Sequence, residues 1–198
     1  MRSIFNGDPF PLNNEFGMLS IITRTLPTPF GELILGSFEG DLCLCDWRYR
    51  KMRTTIDTRI QRGLDASFEE GISPVIEKAI TQLQQYFQGE RTEFELPLNL
   101  VGTDFQREVW QALRTVPFGS TWSYSELTSK IAEPTAVRAV ASANGANAIS
   151  IIVPCHRIIG SKGELVGYAG GLSAKKELLE LEEAFPKTLD LFSTLAEN

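Results

Sequence analysis

Histidine is nearly absent from this chain: 198 residues contain one, His156. That excludes a His-rich metal site. Cysteine is scarce too, with three residues, Cys43, Cys45 and Cys155. An odd, widely split set is not a disulfide framework, and it fits a reducing compartment that keeps thiols free. No run of about 18 apolar residues exists, so no membrane-spanning segment is expected. Met1 to Gly17 carries Arg2 but no apolar core followed by a small-residue cleavage site, so it does not read as a secretory signal. A cytoplasmic location follows, or a nuclear one if the source has a nucleus. Positive charge is also short. Nineteen Lys and Arg face 25 Asp and Glu, a net charge of −6, which argues mildly against a polyanionic partner. The deficit is uneven, with −4 in residues 1–100 and −1 in residues 101–185. A local basic face in the second half is compatible with that balance.

Forty-two per cent of the residues are hydrophobic, and the length suits one domain or two small ones. Residues 1–17, rich in Asn, Gly and Pro, read as a loose arm. Ile21 to Leu26, Glu32 to Gly36 and Leu42 to Trp47 read as strands, the last two joined by a hairpin turn at Glu39-Gly40-Asp41. Cys43 and Cys45 lie two apart in the third strand, where they share a face and read as small core residues rather than half a metal site. Arg48 to Glu70 is polar and reads as a long loop or irregular strand. Ser73-Pro74 opens a helix carrying Ile76, Ala79, Ile80, Leu83 and Phe87 at helical spacing, which Gly89 stops. Arg91 to Leu96 reads as a short strand.

After Pro97 the pattern turns helical. Thr103-Asp104-Phe105-Gln106 is a capping box with Phe105, Val109 and Leu113 on one face. Ser123-Tyr124-Ser125-Glu126 is a second, leading into Leu127 and Ile131. After a break at Glu133-Pro134-Thr135, Val137 to Ala146 forms a helix of small residues. Helix, short turn, helix is the grammar of a DNA reader, and also of many core helix pairs. Ala139, Ala141, Ser142, Ala143, Gly145 and Ala146 permit close approach of another body, either a second helix or a minor groove. Arg138 is then either a solvated charge or a side chain inserted into a base stack.

Ile149 to Val153 is an apolar run, read as a buried strand or extended segment, ending in Pro154-Cys155-His156-Arg157. Pro154 restricts Val153 to extended geometry and delivers Cys155 to a rigid position. A thiol is a strong nucleophile only as thiolate, so it needs a base or a positive environment. His156 is the candidate base, Arg157 adds charge, and Glu177, Glu180, Glu182 and Glu183 are candidate orienting carboxylates. From these residues alone, an inert buried thiol beside a core histidine stays open.

Pro154-Cys155-His156-Arg157-Ile158-Ile159-Gly160, with Gly167-Tyr168-Ala169-Gly170-Gly171-Leu172 downstream, resembles the O6-alkylguanine-DNA alkyltransferase family, also called methylated-DNA–protein-cysteine methyltransferases. The resemblance runs from about Thr103 to Phe185. It includes Phe105-Gln106, Val109-Trp110, Pro117-Phe118-Gly119, Ser123-Tyr124, Arg138-Ala139-Val140 and Asn144-Gly145-Ala146-Asn147. It is looser over residues 18–100, where Thr28-Pro29-Phe30-Gly31 and Cys45-Asp46-Trp47 carry it.

The resemblance implies an RNase H-like α/β N-terminal domain over residues 18–99. It implies a mostly α-helical C-terminal domain with a helix-turn-helix, winged-helix-like, over residues 100–186, and a tail over residues 187–198. It implies repair of double-stranded DNA containing O6-alkylguanine, with O4-alkylthymine as a further substrate. The alkyl group moves irreversibly to Cys155, one protein per lesion, after minor-groove binding and base flipping. Within that scheme His156 takes the thiol proton through a water, Glu182 orients His156, and Asn147 braces the turn before the nucleophile. Tyr124 contacts the flipped base and supplies a proton. Arg138, Tyr124, Ala139, Ser142, Asn144 and Gly145 meet DNA, while Tyr124, Arg157, Ile158 and Ala169 border the base. Lys175 helps place Tyr124 or the active-site loop. No cofactor, no metal and no membrane contact are implied, and a monomer is expected. Two other readings predict different chemistry: a non-catalytic damaged-DNA-binding module leaves the protein unmodified, and a Cys-His hydrolase turns over.

Overall fold

The computed structural model describes residues 19–185. The loose arm (1–17) and the tail (187–198) expected from sequence lie outside the described residues.

 Strands β1 (Leu19–Thr28), β2 (Gly31–Phe38) and β3 (Asp41–Trp47) form an antiparallel meander. The turn before β3 has Glu39 at φ 51° and Gly40 at φ 90°, the two left-handed residues that a tight hairpin of this hand requires. The β2–β3 register slips at Gly36/Ser37, which leaves Cys43 without a cross-strand partner. Cys43 and Cys45 therefore do not share a face. Cys43 packs with Ile21, Leu44 and Ile56, while Cys45 packs with Leu33, Leu35 and Leu42 in a separate cluster. Both are buried core residues.

The polar stretch after β3 is not a loop. It holds α1 (Arg53–Leu64) and β4 (Ala66–Glu70), which joins β1 in parallel and gives the sheet order β3-β2-β1-β4. The apolar face of α1 is narrow: Ile56 and Ile60, one turn apart, are its buried residues, and Asp65 ends it in the left-handed region at φ 48°.

Helix α2 (Pro74–Phe87) buries Val75, Ile76, Ala79, Leu83 and Tyr86 against the sheet. Ser73 stands at its N-cap, but its hydroxyl accepts from Ser37 Oγ at 2.7 Å instead of capping the helix. Residues 91–96 form no strand. Gln82 holds this extended segment by accepting from Glu95 N–H at 2.9 Å and donating to Glu95 O, and the chain touches β3 through a bridge between Leu42 and Leu98. A side chain, not a sheet ladder, satisfies the backbone there.

Both capping boxes form at the helices they announce, α3 (Asp104–Leu113) and α4 (Tyr124–Ser129). A 3₁₀ turn at Pro134–Ala136 leads into α5 (Val137–Gly145). Trp110 of α3 locks α5 in place by donating its indole N–H to Ala143 O at 2.8 Å. Short strands β5 (Trp122–Ser123) and β6 (Ile158–Ile159) pair in parallel, and α6 (Gly171–Leu181) closes the described chain. Residues of both halves share one apolar cluster, from Leu33 and Leu83 to Trp110, Val153 and Leu178. Among the described residues no helix is long and apolar enough to cross a membrane.

Candidate active site

The run from Ile149 to Val153 is a tight buried turn, not a strand. Val153 N–H donates to Ile149 O at 2.9 Å, and Ile151 has φ 71°, a rare conformation for a β-branched residue. The turn is bolted to the sheet by Ser150 N–H to Cys45 O at 2.6 Å and by Cys45 N–H to Ala148 O at 2.9 Å. Asn147 holds it from inside. Its Oδ1 accepts from Ile149 N–H at 2.9 Å, and its Nδ2 donates to Val153 O at 2.9 Å and lies 3.2 Å from Cys155 Sγ. Pro154 then starts a single 3₁₀ turn, Cys155–Arg157.

Cys155 is 4% exposed, yet it lines a cleft of about 780 Å³ together with Tyr124, Asn147, Tyr168 and Ala169. The sulfur thus sits at the inner end of an open space. Burial pushes its pKa up, and the repulsion of Asp46 adds to this, while the Asn147 amide and the Lys175 and Arg50 cations pull the other way. The resting group is a thiol, which needs a base to remove its proton before it can act as a nucleophile, as the sequence led one to expect.

His156 is fully buried, and its Nε2 lies 2.8 Å from Glu182 Oε1. Burial lowers its pKa, opposed by the Glu182 carboxylate, so the ring is neutral near pH 7. With Nε2–H donated to Glu182, Nδ1 is the basic nitrogen, and it is buried with no hydrogen-bond partner among the described residues. Glu182 is 1% exposed. Burial raises its pKa, but hydrogen bonds from His156 and the Arg157 guanidinium outweigh this and hold it down at about 2. Glu182 is the acid, of the four in this region, that meets His156. Glu177 accepts from Ser173 and Glu180 pairs with Lys176.

Arg157 does not reach the cleft. It grips Glu182 with Nε to Oε2 at 2.8 Å and Nη2 to Oε1 at 3.0 Å, and it ties down Val116 O at 2.7 Å. Ile158 is fully buried and also lies off the cleft lining; its carbonyl accepts from the Lys175 ammonium. Lys175 spans from there to Val166 O at 2.7 Å, so it braces the segment between β6 and α6. Burial lowers its pKa to about 8. Tyr124 stands in the cleft wall with its pKa raised by burial and by Cys155, so its hydroxyl keeps its proton.

On α5, Arg138, Ala139, Ser142 and Gly145 are exposed and recur along one side of the helix. Asn144 is not on that strip. It is 4% exposed, lines the cleft, and its Nδ2 lies 3.4 Å from the Tyr124 hydroxyl.

Three supporting residues escaped the sequence reading. Tyr86 donates its hydroxyl to Glu182 Oε1 at 2.7 Å. A hydroxyl on the buried face of α2, one turn after Gln82, was the available signal. Asp46 and Arg50 form a buried ion pair at 2.6 Å, and Arg50 also donates to Gly145 O at 2.6 Å and Asn147 O at 2.8 Å. Nothing local in the sequence marks that link, because Arg50 reaches across to the other half of the chain. Among the described residues no cluster of three or more His, Cys, Asp or Glu is placed to hold a metal ion.

Comparison with known proteins places this geometry in context. Residues 21–100 match the family model "6-O-methylguanine DNA methyltransferase, ribonuclease-like domain", and residues 104–184 match "6-O-methylguanine DNA methyltransferase, DNA binding domain". The chain is similar to the methylated-DNA–protein-cysteine methyltransferase of Mycobacterium tuberculosis, 45% identical over 175 residues, covering 85% of this chain and 97% of that protein. It is 39% identical over 163 residues to the constitutive methylated-DNA–protein-cysteine methyltransferase of Bacillus subtilis, covering 78% of this chain and 90% of that one. The crystal structure of Mycobacterium tuberculosis OGT in complex with DNA superposes with a TM-score of 0.71 at 43% identity, covering 83% of this chain and 94% of that one.

Proposed function

The chain belongs to the 6-O-methylguanine DNA methyltransferase family, and from that membership we propose that Cys155 is the residue that accepts the alkyl group. The protein binds DNA and repairs it by alkyl transfer to a cysteine. The observation that carries the assignment to Cys155 is its place at the inner end of the cleft, next in sequence to a neutral His156 whose buried Nδ1 has no partner among the described residues.

The reaction follows from the groups present. The lesion on O6 lies within the base stack, so the nucleotide must be extruded, at a cost of about a few kcal/mol. The exposed strip Arg138, Ala139, Ser142 and Gly145 enters the minor groove, and Arg138 fills the space left by the base. In the cleft, His156 Nδ1 takes the Cys155 proton through a water, and Glu182 stabilises the imidazolium that forms. The thiolate attacks the alkyl carbon, a C–S bond forms, and the C–O6 bond breaks. The electron pair leaves on guanine, which takes a proton from the Tyr124 hydroxyl. Asn147 steadies the sulfur as charge develops. The product thioether is not reversed by any group in the site, so each molecule acts once.

A monomer is the proposed working unit, since residues of this one chain suffice to build the constellation. The cytoplasm suits it, since a reducing compartment keeps all three thiols free.

The test is stoichiometric. Duplex DNA containing O6-methylguanine is mixed with increasing protein, and lesion loss is followed to completion. The reading expects one lesion lost per protein molecule and no turnover. Multiple turnover would support a Cys-His hydrolase, and binding without lesion loss would support a damage-binding module.

A further inference from the structure

Five large apolar side chains are exposed among the described residues, and three of them, Tyr49 (80% exposed), Met52 (48%) and Leu172 (49%), line the cleft that holds Cys155. Exposed apolar side chains gathered at one place mark an interaction site. They lie in the cleft wall formed by the turn after β3 and the start of α6, while Ala141, Asn144 and Gly145 of α5 form another wall.

The turn is fixed to α5, not merely near it. Arg50 points inward, with its guanidinium on Asp46, on Gly145 O and on Asn147 O. Its chain neighbours Tyr49 and Lys51 are both exposed. Lys51 has no ion pair among the described residues. The Arg48 guanidinium lies 5.6 Å from the centre of the Tyr49 ring and meets Glu32 only at 3.4 Å. A protein with net charge −6 thus presents two exposed cations around an exposed aromatic ring, at a fixed distance from its reading helix.

We propose that the Arg48–Met52 turn of the ribonuclease-like half is a second DNA contact, which grips the strand flanking the extruded nucleotide. Tyr49 packs against an unstacked neighbouring base or its sugar, and Lys51 and Arg48 neutralise flanking phosphates. Exposed aromatic rings interleaved with cations are what a locally unpaired strand requires. Charge complementarity and continuity with the nucleophile's cleft select DNA as the occupant. The inference rests on the alkyl-transfer reading, because only an extruded nucleotide brings a distorted strand to this rim.

The experiment compares wild type, Tyr49→Ala, Lys51→Ala and the double variant in two reactions: O6-methylguanine duplex DNA, and O6-benzylguanine as free base. Binding to the duplex is measured over a range of salt. Tyr49→Ala should weaken duplex binding at least about fivefold. Lys51→Ala should lower the salt slope by about 1. The free-base reaction should stay at the wild-type rate for all variants. Unchanged duplex affinity and salt slope would overturn the proposal. So would an equal loss with duplex and free base, which would assign the rim to the O6 substituent instead. Wild-type protein that takes an alkyl group from neither substrate would count against the alkyl-transfer reading itself, which keeps the two failures apart.

Discussion

Tyr86 and Glu182, 96 residues apart in sequence, meet through a 2.7 Å hydrogen bond in the buried core. Glu182 Oε1 accepts from the Tyr86 hydroxyl on one side and faces His156 Nε2 at 2.8 Å on another. The ribonuclease-like half therefore touches the Glu182–His156 pair next to Cys155.

Removing that hydroxyl with Tyr86→Phe should make the carboxylate, and through it His156, more basic. Stability should fall by about 1.5–3 kcal/mol, the worth of a hydrogen bond to a charged group. Alkylation should slow about tenfold, less than the roughly 10²–10⁴-fold that general-base catalysis supplies in full, because the base is kept but held less firmly. A merely structural role would leave the pH profile alone. The account expects the acid-side fall in rate to move to higher pH, read from single-turnover rates between pH 5 and about pH 8.

The wild-type pH profile follows from the same groups. Burial lowers the His156 pKa below its ordinary 6.5, so Nδ1 stays free to accept a proton throughout the neutral range. The rate should hold as pH falls to 6.5 and drop only below that value. Stability should follow two windows. The unfolded chain protonates His156 below 6.5 while the folded chain resists, so stability declines as pH falls below that point. Glu182 is held down at about 2 against an ordinary 4.5, so its contribution is complete above 4.5 and is lost as pH falls toward 2. Chemical denaturation at a series of pH values measures both.

Gly170 leaves no room for a side chain. A Cβ there would lie 2.5 Å from the Trp47 indole, which packs beneath the loop leading into α6. Gly170→Ala should cost about 1–3 kcal/mol through overpacking and slow repair. Adding Trp47→Phe should recover part of the loss, so the double variant should be more stable than the sum of the single changes predicts. Thermal melting of the four proteins gives the coupling.

Arg138 is exposed on α5. Arg138→Ala should slow repair of duplex DNA by about tenfold or more, because extrusion costs about a few kcal/mol. It should leave the reaction with free O6-benzylguanine at its wild-type rate. Parallel single-turnover assays decide this, and equal slowing on both substrates would remove Arg138 from the extrusion step.

Local signals made much of the architecture readable. The three strands follow apolar runs closed by turn residues, and α3 and α4 start at capping boxes whose reciprocal hydrogen bonds are both present. Helix α1 was hidden because two isoleucines carry its buried face, and because Thr54, Thr55, Asp57 and Thr58 are weak helix formers. The run 149–153 misled because burial between the two halves demands apolar residues whatever the backbone does. Its Ile151 adopts φ 71°, which no periodicity announces. At the site, Pro154-Cys155-His156-Arg157 advertised the nucleophile and its neighbour. Arg157 proved to be a buried clamp on Glu182, and Asn144 a cleft residue, because side-chain direction depends on packing. Tyr86 and Arg50 were illegible for one reason: each acts on a partner more than 90 residues away, across the junction of the halves.

On the proposed reaction one sulfur, that of Cys155, ends up carrying the alkyl group. Protein incubated with duplex DNA containing O6-methylguanine, digested and mapped by mass spectrometry, tests this directly. The account predicts one added methyl group, on the peptide containing Cys155, with Cys43 and Cys45 unmodified and no modification in Cys155→Ala. A methyl group on another residue, or repair by the Cys155→Ala variant, would contradict it.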